Sequence, residues 1–153
     1  MRTDWAIGAF SRCSGVLLVG MASVLGISQW AGANPDVVYA HEPIFQLSVR
    51  TFLWIMAGAC AAVGLVCLLG QGGRQAAGLV AWLAANFEVY QAGLLWNGSP
   101  NLHGYLGEVS TAFALSLAQL NVTANIVWAS LLLGSLTLLC YPRPKPRAEP
   151  TPR

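Results

Sequence analysis

The sequence predicts an all-α fold, an integral membrane four-helix bundle with a short interfacial helix before the last span. The first observation is composition: of 153 residues, 56% are apolar and only 9% are charged, whereas a soluble domain has about 25% charged residues. The second is that four long runs, almost free of charge, each approach the ~20 residues that a helix needs to cross a bilayer. The third is that no run alternates with a period of two, so the spans are predicted to be helices.

The four predicted spans follow the charge-poor runs in chain order. The first comes after Arg12, the second lies between Arg50 and Arg74, and the third is interrupted only by Glu88. The last is the apolar stretch "VTANIVWASLLLGSLTLLCY". Each run is long enough for one helical crossing. The spans are therefore predicted at about residues 13–32, 51–72, 75–96 and 122–141.

The positions of the basic residues predict how the spans are oriented. Seven of the eight Lys and Arg residues fall on one side of a four-span topology, and only Arg50 falls on the other. The positive-inside rule then places both termini in the cytoplasm, with an N-terminal tail at 1–12 and a C-terminal tail at 142–153. The loops 31–50 and 97–120 face outward.

Residues 1–33 also fit a second interpretation, a cleaved signal peptide. They have a basic start, an apolar core and "AGA" before Asn34, which is the order of parts in such a peptide. The core and the twelve residues before it are long for a signal peptide, so an uncleaved first span is favoured. Cleavage would leave the two termini on opposite sides of the membrane.

Two segments outside the spans have a distinct character. The stretch "STAFALSLAQL" has Ser110 or Thr111 as an N-cap and a helical apolar period, which predicts a short helix in the membrane interface or packed on the bundle. The tail "PRPKPRAEPTPR" alternates proline with charge. Such a segment cannot continue a helix or bury apolar surface, so it is predicted to be disordered and near anionic headgroups.

The third span carries an intramembrane polar cluster. Asn86, Glu88 and Gln91 lie near its middle, and Asn121 and Asn125 begin the fourth span. A carboxylate inside a membrane is costly and is a functional hypothesis by default. One interpretation is a proton-titrating or ligand-binding site, or a contact to a partner subunit. The other, which we favour, is a protonated or hydrogen-bonded carboxyl that fastens the third span to its neighbours.

Polar residues of the outward loops are a second set of candidates. The first loop holds His41 and Glu42, and the second holds His103, Tyr105 and Glu108. Histidines and carboxylates are metal-ligating residues, but their spacing here matches no ligand pattern, so no metal site is predicted. They are interpreted as polar groups at a wet interface.

No catalytic residues are predicted, because the sequence has no P-loop, GxSxG or HExxH motif. The four cysteines stand in no CxxC or CxC arrangement and are interpreted as small packing residues; they are Cys13, Cys60, Cys67 and Cys140. The net charge of +2 is too small to predict a nucleic-acid partner. No cofactor is predicted, and contact with lipid, quinone or a pigment stays open.

The stretch "VYQAGLLWNGSPNLHGYLGEVSTAF", together with the apolar runs around it, resembles the DoxX-like and MauE-like four-helix membrane proteins of bacteria. The resemblance covers about residues 43–139 and is most specific in the third span and the loop after it. It implies a four-helix bundle in the bacterial inner (cytoplasmic) membrane, with the first and third loops outside. This orientation agrees with the positions of the basic residues.

The chain departs from that family at the residues that carry its chemistry. The family has a Cys-x-Cys-[Leu/Phe]-Gly loop, and aligning "YLG" with its Cys-Leu-Gly places Tyr105 and His103 where the two cysteines would stand. The second span also lacks the family's acidic residue and offers Ala59, Cys60 and Ala61 instead. The proposed thiol–disulfide role therefore has no residues to carry it, which points to a scaffold in structural use.

Three functions remain as hypotheses. The favoured one is a small non-catalytic accessory or structural subunit of a larger membrane complex. Its expected partners are the lipid bilayer and either other membrane subunits or further copies of itself. The first alternative is a redox or maturation helper of periplasmic proteins, of the DoxX/MauE type. The second is a small proton-coupled, transporter-like bundle that uses Glu88.

Overall fold

The computed structural model describes residues 2–28, 44–70, 73–97 and 117–140. This part of the chain forms four helices and no strand, so the predicted all-α fold class and four-helix bundle are confirmed. Most of the two predicted outward loops, the whole C-terminal tail and most of the predicted interfacial helix lie outside the described residues. The helices are α1 (Arg2–Ser28), α2 (Val49–Leu69), α3 (Gly73–Trp96) and α4 (Leu117–Cys140).

Two helices extend beyond the predicted spans. Helix α1 begins at Arg2 and not near residue 13. The charged Arg12 marks where a helix should leave the hydrocarbon, but it does not end a helix, because arginine is a good helix former. Helix α4 begins at Leu117, so residues 117–120 belong to the last helix and not to a separate interfacial one.

Three of the helices are long and apolar enough to cross a membrane, over Trp5–Ile27, Val49–Leu69 and Val122–Cys140. With the composition, they indicate a membrane protein. Helix α3 has 24 residues but is not among these three. Its sequence contains several polar residues that lower its mean hydropathy, namely Arg74, Gln75, Asn86, Glu88 and Gln91.

Consecutive helices run antiparallel. The start of α1 meets the end of α2, where Ser11 Oγ donates a hydrogen bond to the Cys67 carbonyl at 2.9 Å. The start of α2 meets the end of α3, and the rings of Phe52 and Tyr90 are 4.8 Å apart there. The start of α3 meets the end of α4 through Arg74. The bundle therefore has an up-down-up-down order with two ends, which we call the Arg74 end and the Tyr90 end.

Glycines allow helices α1 and α2 to approach closely where they cross. A Cβ on Gly64 would lie 2.8 Å from Val19 Cγ2 and 3.1 Å from the Gly15 carbonyl oxygen. A Cβ on Gly15 would lie 2.8 Å from Leu68 Cγ and 3.0 Å from the Gly64 carbonyl oxygen. Because each glycine faces the other's backbone, any side chain at either position would push the two helices apart. Small residues at helix contacts are typical of membrane bundles.

The main core draws residues from all four helices. Its centre includes Leu18, Cys60, Val80 and Trp128, each at most 1% exposed. The full set of buried residues in this cluster is Leu18, Cys60, Val63, Cys67, Ala76, Val80, Leu83, Ala84, Trp128 and Leu131. This packing directs one face of α3 into the bundle.

Candidate functional site

Helix α3 has two chemically different faces. The buried face is mostly small and apolar and points into the bundle, with Ala76, Ala77, Val80, Ala81, Leu83, Ala84, Tyr90, Gln91 and Leu94. The opposite face is exposed along the helix. Five exposed residues of this face are separated in turn by four, three, four and three residues. We call them the outer stripe: Gln75, Leu79, Trp82, Asn86 and Val89. This spacing is that of the contact positions in a coiled coil.

The inner face of α3 contacts α4 through an aromatic stack. The rings of Phe87 and Trp128 lie 4.5 Å apart with an interplanar angle of 25°. Trp128 is only 1% exposed. Stacked aromatic pairs at this distance contribute about 0.5–1.5 kcal/mol beyond the burial of their surface. The stack therefore fixes the level at which the middle of α3 meets α4.

Three buried polar atoms lie within about one helical turn of this stack along the chain. They are Oε1 of Glu88, Oδ1 of Asn125 and Nε1 of Trp128, and none has a hydrogen-bond partner among the residues that the structure describes. The indole nitrogen is a donor, the amide oxygen is an acceptor, and a carboxyl can act as either when it is protonated. The set therefore includes both donors and acceptors of hydrogen bonds.

The predicted polar cluster is divided between the two faces of α3. Glu88 is half-buried and Gln91 is 9% exposed, so both belong to the inner side, whereas Asn86 lies on the outer stripe. Residues two apart on a helix point in roughly opposite directions, at about 200°, and sequence proximity alone conceals this separation. Of α4, Asn125 is partly buried, and the side chain of Asn121 lies outside the described residues.

The amide of Asn86 is exposed near the middle of α3. It lies thirteen residues after Gly73 and ten before Trp96. Its Nδ2 donates to the carbonyl of Trp82, one turn back, at 2.8 Å. This is its one hydrogen bond within the described part of the chain, so its Oδ1 and second N–H remain available on the outer stripe.

Sequence reasoning missed an aromatic cluster at the Tyr90 end. The ring centroid of Phe45 lies 6.0 Å from that of Phe52 and 6.0 Å from that of Tyr90. Gln46 adopts a left-handed conformation with φ of 54° just before α2 begins. Ser48 caps that helix by accepting a hydrogen bond from the Thr51 amide at 3.3 Å. The usual enrichment of aromatic residues at span ends is the signal that could have found the cluster.

Sequence reasoning also missed the structural role of Arg74. Its Nη2 donates to the Leu139 carbonyl at 2.7 Å, near the end of α4. The last carbonyls of a helix have no partner within the helix and carry partial negative charge. Arg74 therefore ties the start of α3 to the end of α4 with a hydrogen bond between complementary charges.

The remaining candidates are the polar residues of the predicted loops and the four cysteines. His41, Glu42, His103, Tyr105 and Glu108 all lie outside the described residues. Within the described ranges, no group of three His, Cys, Asp or Glu side chains could hold a metal ion. Cys60 and Cys67 are buried free thiols, and Cys13 and Cys140 are exposed free thiols.

No model of a known protein family, no curated protein and no solved structure matches this chain significantly. The resemblance to the DoxX-like and MauE-like proteins therefore stays a prediction from the sequence. The two faces of α3, one inside the bundle and one on its surface, are the candidate functional features of the described chain.

Proposed function

We propose that the protein is a non-catalytic structural subunit of a membrane complex, and that it contacts other subunits through the outer stripe of α3. The observation that carries this proposal is the exposed amide of Asn86, which lies on the stripe near the middle of α3. Lipid tails offer an amide no hydrogen-bond partner, whereas a neighbouring transmembrane helix does.

The packing of α3 along α4 supports a transmembrane position for α3, despite its polar residues. Between the Arg74–Leu139 hydrogen bond and the Phe87–Trp128 stack, α3 advances thirteen residues and α4 runs back eleven. At 1.5 Å per residue these are similar rises of about 20 and 17 Å. The two helices therefore lie side by side over this length. If α4 crosses the membrane, α3 crosses with it, and Asn86 lies at mid-depth.

Three exposed hydroxyl groups differ from the amide of Asn86. The hydroxyls of Ser23, Thr123 and Thr137 each donate to the carbonyl four residues earlier on their own helix, at 2.7–2.9 Å. A hydroxyl has one donor, so this bond satisfies it without a partner. An amide has two N–H groups and an acceptor oxygen, so the similar bond of Asn86 leaves hydrogen-bonding capacity directed outward.

The buried thiols favour the structural function over a redox helper. Cys60 is 0% and Cys67 1% exposed, and both lie in the main core. They are seven residues apart on one helix, so they are separated by about 10 Å, whereas a disulfide needs Cα atoms within about 7 Å. Their surroundings support a packing role.

Purification from native membranes in a mild detergent tests this function. We expect the wild-type chain of 16.2 kDa to migrate in a larger assembly, and Asn86→Leu to be released from it. Leu133→Ala, at an exposed position of α4, is the matched control and should remain assembled. A wild-type chain that is recovered alone from native membranes would contradict the proposal.

The proton-coupled function is a second candidate, because Oε1 of Glu88 is buried and has no hydrogen-bond partner within the described residues. The variant Glu88→Gln separates the two. If Glu88 only fastens α3, the amide can replace the carboxyl with a change in the free energy of unfolding below about 1 kcal/mol, and proton flux across reconstituted vesicles is unaltered. A proton flux in wild-type vesicles that Glu88→Gln abolishes would favour the second candidate.

A further inference from the structure

The outer stripe carries a more specific inference, which rests on the proposed function and names the partner. We propose that a second copy of this chain covers the stripe, with the two α3 helices parallel about a two-fold axis and the two Asn86 amides paired. The contact is formed by Leu79, Trp82, Asn86 and Val89 of each copy.

The depth of Asn86 favours a second copy as the occupant. Copies of one chain insert with the same orientation, so their α3 helices are parallel and their Asn86 residues lie at the same depth. The amide carries both donors and an acceptor, so it is complementary to itself. A different protein would need a matching polar group at this same depth, whereas an identical copy has one by symmetry.

The spacing of the stripe fits a parallel helix pair. Its residues alternate in steps of four and three between 75 and 89, which keeps one seam directed at a partner helix. Among the four contact residues Asn86 alone is polar, and a single asparagine among apolar seam residues is a known device for fixing register and the number of helices. The stripe contains no charged residue, so symmetry places no like charges against one another.

The flanking positions leave room for this contact. Gly78, one residue before Leu79, has no atom within 4 Å of the place where a Cβ would stand. Trp82 and Val89, on either side of Asn86, are 61% and 72% exposed. Two such seams would enclose the amide pair between apolar side chains, where an interhelical hydrogen bond has no competition from water.

Cross-linking of the purified chain in phosphatidylcholine vesicles tests the inference. Cys13 and Cys140, the exposed thiols, are changed to Ser, and a single cysteine is introduced as Val89→Cys or, as the control, Ile126→Cys at a similarly exposed site on α4. Under mild oxidation we expect a disulfide-linked dimer from Val89→Cys and little from Ile126→Cys. The dimer fraction should fall on dilution with lipid.

Second variants test the role of the amide. In the Val89→Cys background, Asn86→Leu should weaken the dimer roughly threefold to thirtyfold, the range that corresponds to interhelical polar contacts of about 0.6–2 kcal/mol. Asn86→Gln, which keeps an amide, should retain most of the dimer. Helical circular dichroism of all variants verifies that they are folded.

The outcomes separate this inference from the proposed function. Equal cross-linking with asparagine and leucine at position 86, or from both cysteine positions, would overturn the inference. A chain that is monomeric in vesicles but assembled in native membranes would also overturn it, and would leave the structural-subunit function standing with a different partner. A chain that is monomeric in both would remove both proposals.

Discussion

Helices α2 and α3 are neighbours of similar length, 21 and 24 residues, but they differ in what surrounds them. Beyond Arg50 and Thr51 in its first turn, the exposed side chains of α2 are all apolar, and lipid can cover them. Helix α3 carries polar groups on both of its faces, with Glu88 and Gln91 inside and Asn86 outside. This difference agrees with the proposal that α2 contacts protein on one face and lipid on the other, whereas α3 contacts protein on both.

A substitution on the inner face of α3 should give the largest loss of stability. Replacing Phe87 by alanine removes the stack on Trp128, and we expect the free energy of unfolding to fall by about 3 kcal/mol, near the lower end for a large aromatic side chain. Unfolding by sodium dodecyl sulfate in mixed micelles measures this. Val89→Ala, two residues away on the outer stripe, is the control and should change the monomer by less than about 0.5 kcal/mol. Similar losses from the two variants would contradict the two-faced description of α3.

A substitution at the glycine contact between α1 and α2 should give the second largest loss of stability. Gly64→Ala places a methyl group against Val19 and the Gly15 carbonyl, so we expect a loss of about 1–3 kcal/mol, typical of overpacking. Gly58→Ala lies on the same helix with nothing within 4 Å. It should be neutral or raise stability by up to about 1 kcal/mol, because alanine is the better helix former. The same unfolding titration compares them, and equal stability would show that the close approach of α1 and α2 is not required.

Replacing the arginines at the starts of α2 and α3 should give the smallest difference in stability between two variants. Arg74→Ala removes the hydrogen bond to the Leu139 carbonyl, and we expect a loss of about 1–2 kcal/mol, in the range for hydrogen bonds to charged groups. Arg50 occupies the second position of α2 and is exposed, so Arg50→Ala should change stability by less than about 0.5 kcal/mol. Equal effects in thermal unfolding would contradict the linking role of Arg74.

Hydropathy and charge were sufficient to predict the bundle. The charge-poor runs identified the four helices, because a segment that crosses hydrocarbon is helical and carries few charges. They did not predict the start of α1 at Arg2, since a charge limits membrane depth and does not end a helix. They also could not predict that the end of α4 accepts a hydrogen bond from Arg74, which depends on the tertiary arrangement.

The polar residues of α3 show where sequence reasoning stops. Asn86, Glu88 and Gln91 form one cluster when read along the chain, yet the helix directs Asn86 away from the other two. Helical periodicity predicts that residues two apart diverge, but it does not say which face meets the bundle. That choice is made by the packing of Phe87 on Trp128, a contact between residues 41 positions apart.

Photo-cross-linking in native membranes tests most directly whether the outer stripe of α3 meets protein and not lipid. Benzoylphenylalanine is introduced in place of Val89 on the stripe or of Ile126 on α4, which are 72% and 61% exposed. We expect illumination to give a protein adduct from position 89 and no protein adduct from position 126. Absence of a protein adduct at position 89, with the chain folded and inserted, would contradict the assignment of this face as a subunit contact.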